Sequence, residues 1–218
     1  MARKDAKRSA TTATPEDWRA ARLVPTQQRS RERYERILAC ATDVMAEKGS
    51  DAFRMSDIIE RTGMSFGSLY QYFPDKTAII ATLAERCNAI GHQCVAKELS
   101  GLTSIAQLHA VLGAITDSYY RFFIDEPAAR DIWQATQADR MLQQLDEEDG
   151  RLLTGMLIDA LRPLAAQVPE EMLAAFAQVV MVTMAAAVRH AIALPDPDAR
   201  QFLLVFEAML PSDLPPQI

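Results

Sequence analysis

A chain of 218 residues that is 49% apolar and carries a net charge of −6 has ample material for a buried core, in one domain or in a small domain fused to a larger one. Three cysteines (Cys40, Cys87, Cys94) cannot all pair, and no basic-then-apolar leader opens the chain, so a reducing, cytoplasmic setting is expected. The longest uncharged run, between Glu171 and Arg189, stops short of a usual membrane span and contains Gln178 and Thr183, so it reads as a buried helix and no membrane partner is expected.

The charge is unevenly spread. Residues 1–78 hold 14 Lys+Arg against 11 Asp+Glu, net +3, and residues 79–218 hold 9 against 18, net −9. A basic front and an acidic back suggest two jobs in one chain.

Residues 1–30 show no sustained apolar period and read as a mobile arm in which Trp18 and Leu23 dock at most locally. Arg3, Lys4, Lys7, Arg8, Arg19, Arg22, Arg29, Arg31 and Arg33 make this lead basic, which suits either tracking of DNA phosphates or a solubilising tail. Over 31–48 the apolar residues Tyr34, Ile37, Leu38, Ala41, Val44 and Met45 recur at helical spacing, with Gly49 placed to cap. Met55, Ile58, Ile59 and Thr62 predict a second, short helix that Gly63 ends, and Ser65 is placed to cap a third. Pro74 breaks that helix and Asp75 can cap the next.

Beyond Pro74 the pattern predicts helices at about 75–99, 104–125, 127–138, 141–168, 169–194 and 196–210, punctuated by Pro or Gly. No period-two run bounded by turns is present, so the predicted fold class is all-α, with about nine helices in total. The expected organisation is an arm (1–30), a three-helix unit (31–76) and a larger helical unit (77–218).

Two short helices separated by "TGMS" have the spacing of a helix-turn-helix, whose second helix is offered to the major groove. Projected at 100° per residue, Leu69, Phe73 and Phe66 share one arc with Tyr70 on its margin, while Gly67, Gln71, Ser68 and Tyr72 share the other. The first arc is expected to anchor and the second to read. Gly67 leaves no Cβ between backbone and groove, and Ser68, Gln71 and Tyr72 carry donors or acceptors for bases and phosphates.

"GMSFGSLYQYFPDKTAII" resembles the recognition-helix signature of the TetR family of bacterial transcriptional regulators, with Gly63, Ser65, Gly67, Leu69, Tyr70, Tyr72, Phe73 and Lys76 all matching. "ILACATDVMAEKGSDAF" and "SDII" are similar to the family's first helix and the start of its second. The resemblance implies DNA-backbone contacts from Tyr70, Tyr72 and Lys76 and base or near-base contacts from Phe66, Gly67, Ser68 and Gln71, with Arg54, Ser56 and Ser65 completing the expected DNA-binding set. The sequence departs from the pattern in two places. Phe66 stands where a polar or basic residue is commoner, pointing to contact with thymine methyls or to core packing. Phe53-Arg54 stand where Thr or Ser commonly caps the second helix, which questions the cap and offers an Arg–phosphate contact. For Tyr70 and Tyr72, plain core packing is the competing reading.

The same resemblance implies a repressor that pairs as a homodimer through the helices of 169–194 and 196–210, binds a palindromic double-stranded operator, and is released by a small-molecule effector. Candidate effector contacts are Tyr119, Tyr120, Phe123, Trp133, Gln137, Met156, Met181, Met184 and His190, a set that suits an apolar ligand but also ordinary core packing. "DEED" (146–149) reads as a solvated loop or helix end. Cys87 and Cys94 share a helical face near His92, but no metal-ligand spacing supports a site, so the thiols read as small core residues and neither metal nor cofactor is expected. His92, His109 and His190 are the only imidazoles, and no phosphate loop or nucleophile elbow accompanies them, so an enzyme is not expected. A DNA-bound scaffold controlled by a protein partner is the alternative.

Overall fold

A computed structural model describes residues 25–215, which form nine α-helices and two short 3₁₀ turns, with no strand among the described residues. In chain order the helices are α1 (Gln28–Ala52), α2 (Met55–Thr62), α3 (Phe66–Tyr72), α4 (Lys76–Leu99), α5 (Leu108–Asp125), α6 (Pro127–Ala138), α7 (Arg140–Leu161), α8 (Glu170–Ala191) and α9 (Asp196–Ala208). The 3₁₀ turns, Ile105–Gln107 and Arg162–Leu164, precede α5 and follow α7. The all-α reading and the helix count agree with the sequence expectation.

Helix ends follow local chemistry. Gly63 takes the left-handed conformation (φ 67°) that closes α2, and its N–H bonds to the Ile59 carbonyl. Ser65 Oγ accepts from the Ser68 N–H at 3.3 Å, and Asp75 Oδ1 accepts from the Ala78 N–H at 2.8 Å, capping α3 and α4. At α2 the doubtful cap is replaced from inside the helix, because the Arg54 N–H donates to Asp57 Oδ2 at 2.7 Å. Phe53 is fully buried beneath it. Pro127 opens α6, where a missing N–H loses nothing.

Two boundaries differ from expectation. Helix α1 begins at Gln28, so residues 28–30 are helical instead of part of an arm, and Pro25 is buried; the rest of the basic lead, with Trp18 and Leu23, lies outside the described residues. Gly49 breaks the helical backbone at its expected place (φ 79°, ψ 162°), but a further turn, Ser50–Ala52, follows the kink.

The core falls into three clusters. Tyr34, Ile37, Leu38, Val44 and Met45 of α1 meet Phe53, Ile58, Leu69, Phe73 and Ile79, and this cluster extends into the body through Ala128, Ile132 and Ala135 of α6 and Leu142 and Leu145 of α7. Each fully buried Leu, Ile or Phe here contributes about 1.5–3 kcal/mol of transfer free energy. A second cluster joins the far half of α4 (Val95, Leu99) to α5, α7 and α8. The third packs Phe123, Ala129 and Val188 against Ala199 and Leu203 of α9. Helices α4 and α6 therefore each belong to two clusters, tying the front of the molecule to its body.

Helix α8 has the length and hydropathy of a membrane-crossing segment. One side, including Leu173, Ala177, Val180, Met184 and Val188, is core, whereas Val179 and Val182 on the other side are exposed. The expected buried helix is thus buried on one face only. Leu204 and Val205 of α9 and the following Met209 add to the uncovered apolar surface.

Candidate functional site

Two regions carry chemistry: the exposed side of α2 and α3, and a cavity within the body. In the first, Leu69 and Phe73 anchor α3, while Phe66 (58% exposed), Gly67, Tyr70 (46% exposed) and Gln71 face outward and Ser68 is partly exposed. The Phe66 and Tyr70 rings stack, 6.2 Å between centroids and 14° between planes. Arg54, Ser56 and Ser65 are exposed around them.

Three assignments from the helical projection need correction. Phe66 is not an anchor: it is the first residue of a seven-residue helix, beyond the edge of the core. Tyr72 does not belong to the exposed arc; it is 4% exposed, its ring 6.3 Å from that of Tyr34 and its hydroxyl 2.8 Å from Ser30 Oγ. Tyr70 is not core, and it takes the outward place assigned to Tyr72. The first turns of α1 cover the end of α3, a contact that a projection of α3 alone does not contain. Lys76 is partly buried, with Nζ 3.5 Å from the Ser50 carbonyl.

Several basic groups beside this surface are held by carboxylates. Arg61 pairs with Glu47 through both guanidinium nitrogens, Arg86 pairs with Glu35 at 2.6 and 2.7 Å, and Lys48 lies 2.7 Å from Asp57. Burial raises the Asp57 carboxyl, but Lys48 and the Arg54 amide outweigh it and hold the group below its ordinary range. Arg29, Arg33 and Arg54 are exposed.

The second region is a cavity of about 690 Å³ between α4, α5, α6, α7 and α8, within the ~300–1,000 Å³ range of small-molecule pockets. Of the expected contacts, Tyr119, Phe123, Trp133, Met181 and Met184 line it. The others do not. Tyr120 packs in the third cluster and Met156 in the second, Gln137 is exposed with Nε2 3.1 Å from Asp146 Oδ2, and His190 is exposed with its ring 4.8 Å from Phe202.

Missed by sequence reasoning were Cys87 and Cys94 of α4, Asp146 and Asp149 of α7, and Arg189 of α8, all in the lining. "DEED" is neither loop nor helix end; it sits within α7, with Arg189 Nη2 3.0 Å from Asp146 Oδ1 and His92 Nε2 2.5 Å from Asp149 Oδ1. The available signal was Asp146 and Asp149 three apart, one helical turn, with Arg189 closing an apolar run. Burial raises the Asp149 carboxyl against the opposing pull of His92, and pushes the Cys87 thiol up to about 11. Cys40 is buried, whereas Cys87 and Cys94 are wall residues more than core filling.

Two family models match the chain, one over its front and one over its body. The family described as "Bacterial regulatory proteins, tetR family" matches residues 37–83, and "Tetracyclin repressor-like, C-terminal domain" matches residues 106–218. The chain is 43% identical over 53 residues to the uncharacterized HTH-type transcriptional regulator YvdT of Bacillus subtilis, covering 24% of this chain and 27% of that protein. It is 28% identical over 92 residues to the HTH-type transcriptional repressor KstR of Mycolicibacterium smegmatis, covering 42% of this chain and 45% of that one. These alignments thus span less than half of either relative. In three dimensions the chain is similar to a TetR-family transcriptional regulator from Pectobacterium atrosepticum, with a TM-score of 0.66 and 19% identity over 88% of this chain and 100% of the other. With a family match over each region, a capped helix-turn-helix in front and an all-helical body behind, the chain belongs to the tetR family of bacterial transcriptional regulators.

Proposed function

We propose that this regulator is a repressor that binds a near-palindromic operator as a homodimer, reads it with Phe66, Gly67, Ser68 and Gln71, and leaves it when a small, largely apolar ligand fills the body cavity. Arg54, Tyr70 and Lys76 are assigned to phosphates and Tyr72 to internal support. A DNA-reading part near residues 31–76 and an effector part beyond it follow from this division of labour, as does a cytoplasmic location. Similarity to a relative described as a repressor supports the sign of regulation.

One observation carries the ligand control: α6 is shared. Ala129 and Trp133 stand in the cavity wall, while Ala128 and Ala135 of the same helix pack into the cluster that holds α1 and α3. A ligand that displaces Trp133 therefore bears on the helix against which the reading unit rests. Coupling of about 1–3 kcal/mol between cavity and operator is enough for a five- to roughly 150-fold change in affinity. Support for pairing comes from the exposed Val179, Val182, Leu204, Val205 and Met209, an apolar surface on the last two helices that a twofold four-helix contact would cover.

The test has two arms. Selection from random duplexes should recover a motif with two inverted half-sites, and compounds that raise the melting temperature should lower operator affinity. Binders that leave DNA affinity unchanged would favour control by a protein partner.

A further inference from the structure

Trp133 Nε1 and Arg189 Nε are, among the described residues, the fully covered side-chain nitrogen or oxygen atoms that lack a hydrogen-bond partner. Both residues line the same cavity, one from α6 and one from α8, with the guanidinium carbon 5.0 Å from the indole centroid. A buried donor left unpaired costs about 1–3 kcal/mol, and such groups are rare enough in native proteins to need a reason. Tyr119 of α5 lies in the same lining with its hydroxyl oxygen against the Arg189 side chain; burial raises its phenol against that opposing pull, and its O–H is a further donor.

The acceptors nearby are already engaged. Asp146 accepts from Arg189 Nη2 at 3.0 Å and from Gln137 Nε2 at 3.1 Å, and Asp149 is 2.5 Å from His92 Nε2. Much of the remaining wall, including Val95, Ile115, Leu153, Ile158 and Met181, is apolar. Formal charges in the lining are Asp146, Glu147 and Asp149 against Arg151 and Arg189. An anionic ligand would meet this acidic excess and compete with Asp146 for Arg189. A cation would leave the unpaired donors as they are.

We propose that the effector is a neutral, mainly apolar molecule bearing one hydrogen-bond acceptor of the carbonyl type, which Trp133 Nε1 and Arg189 Nε take up. This rests on the reading of the cavity as the effector site. Both nitrogens are covered in the structure, so uptake of the acceptor requires the Arg189 side chain, held at Asp146, to change rotamer.

The test uses the full-length chain and four naphthalenes of similar size: 2-acetylnaphthalene, its hydrocarbon isostere 2-isopropenylnaphthalene, 2-naphthoate, and 2-naphthylmethylammonium. Affinities are measured by calorimetry. The ketone should bind about tenfold more tightly than the isostere, the equivalent of one well-made hydrogen bond, and more tightly than either ion. Trp133→Phe, which keeps an aromatic face but loses the pyrrole half of the indole with its N–H, should cut that ratio to about threefold, the ratio being taken within the variant so that any general change in cavity affinity cancels; Arg189→Met should act likewise. Melting curves check that both variants are folded. Equal binding of ketone and isostere, an undiminished ratio in both variants, or preference for either ion overturns the proposal and leaves the cavity reading intact. Failure of all four to bind overturns both.

Discussion

The Tyr72 hydroxyl lies 2.8 Å from Ser30 Oγ, joining the last residue of the recognition helix to the first turn of α1. Tyr72 is therefore a support for α3 rather than part of its reading surface. Tyr72→Phe and Ser30→Ala should each destabilise by about 0.5–1.5 kcal/mol, and the double variant should cost little more than either single one. Operator preference should persist in all three. Chemical denaturation combined with binding-site selection checks this; a changed motif in Tyr72→Phe at normal stability would return Tyr72 to the interface.

Gly67 separates folding from reading. Nothing lies within 4 Å of a Cβ added there, and the residue is helical and exposed. Gly67→Ala should therefore raise stability by up to about 1 kcal/mol through helix propensity. If the backbone approaches the groove as proposed, the same methyl should lower operator affinity. Stronger folding with unaltered DNA binding would remove Gly67 from the reading set.

Gln71 and Phe66 are expected to read different chemistry. Gln71→Ala should relax base preference at a position of each half-site and cost about 1–3 kcal/mol. Phe66→Ala should lose discrimination for thymine, and replacing that thymine by uracil, which removes the methyl, should mimic the variant in the wild type. Lys76→Ala should weaken all duplexes alike. Site selection followed by titration distinguishes these outcomes.

The uncovered apolar surface makes the association state testable. Burying one Leu side chain stabilises by about 1.5–3 kcal/mol, and twofold symmetry counts a substitution twice, so Leu204→Asp should weaken pairing by roughly a hundredfold or more. On the proposed pairing, sedimentation should give a dimer for the wild type and a monomer for the variant, and affinity for the full operator should fall with it. An unchanged mass would place the contact elsewhere.

Asp149 contributes a definite sign to the pH profile. Its folded-state pKa is raised by burial, with Asp146 adding to the rise and His92 and Arg189 opposing it. Its stabilising contribution is therefore complete below the ordinary aspartate pKa of about 3.9 and is lost as pH climbs through the higher folded value. Asp149→Asn keeps an oxygen that accepts from His92 Nε2 and cannot ionise. It should be at least as stable as wild type at pH 7–8, and the wild type should gain on it during acidification. Urea midpoints measured across pH 4–8 check this. A variant that is weaker at pH 8 and parallel to wild type below would contradict it.

What could be read from the chain alone was local. Gly63, Ser65, Pro74 and Asp75 act on backbone groups within four residues, so the turn, the cap and the break around α3 were legible from residue type and spacing. The same holds for the helical periods and hence for the all-α fold. Only the tertiary structure decided which side of α3 is covered, because α1 reaches Tyr72 from 42 residues away. The cavity was the least legible part. Arg189 meets Asp146 across 43 residues and His92 meets Asp149 across 57, so charges that look like a solvated run become an internal paired wall once five helices converge. The unpaired donors of Trp133 and Arg189 exist only as a consequence of that packing: whether a polar atom has a partner depends on its neighbours in space, and residue type does not encode it.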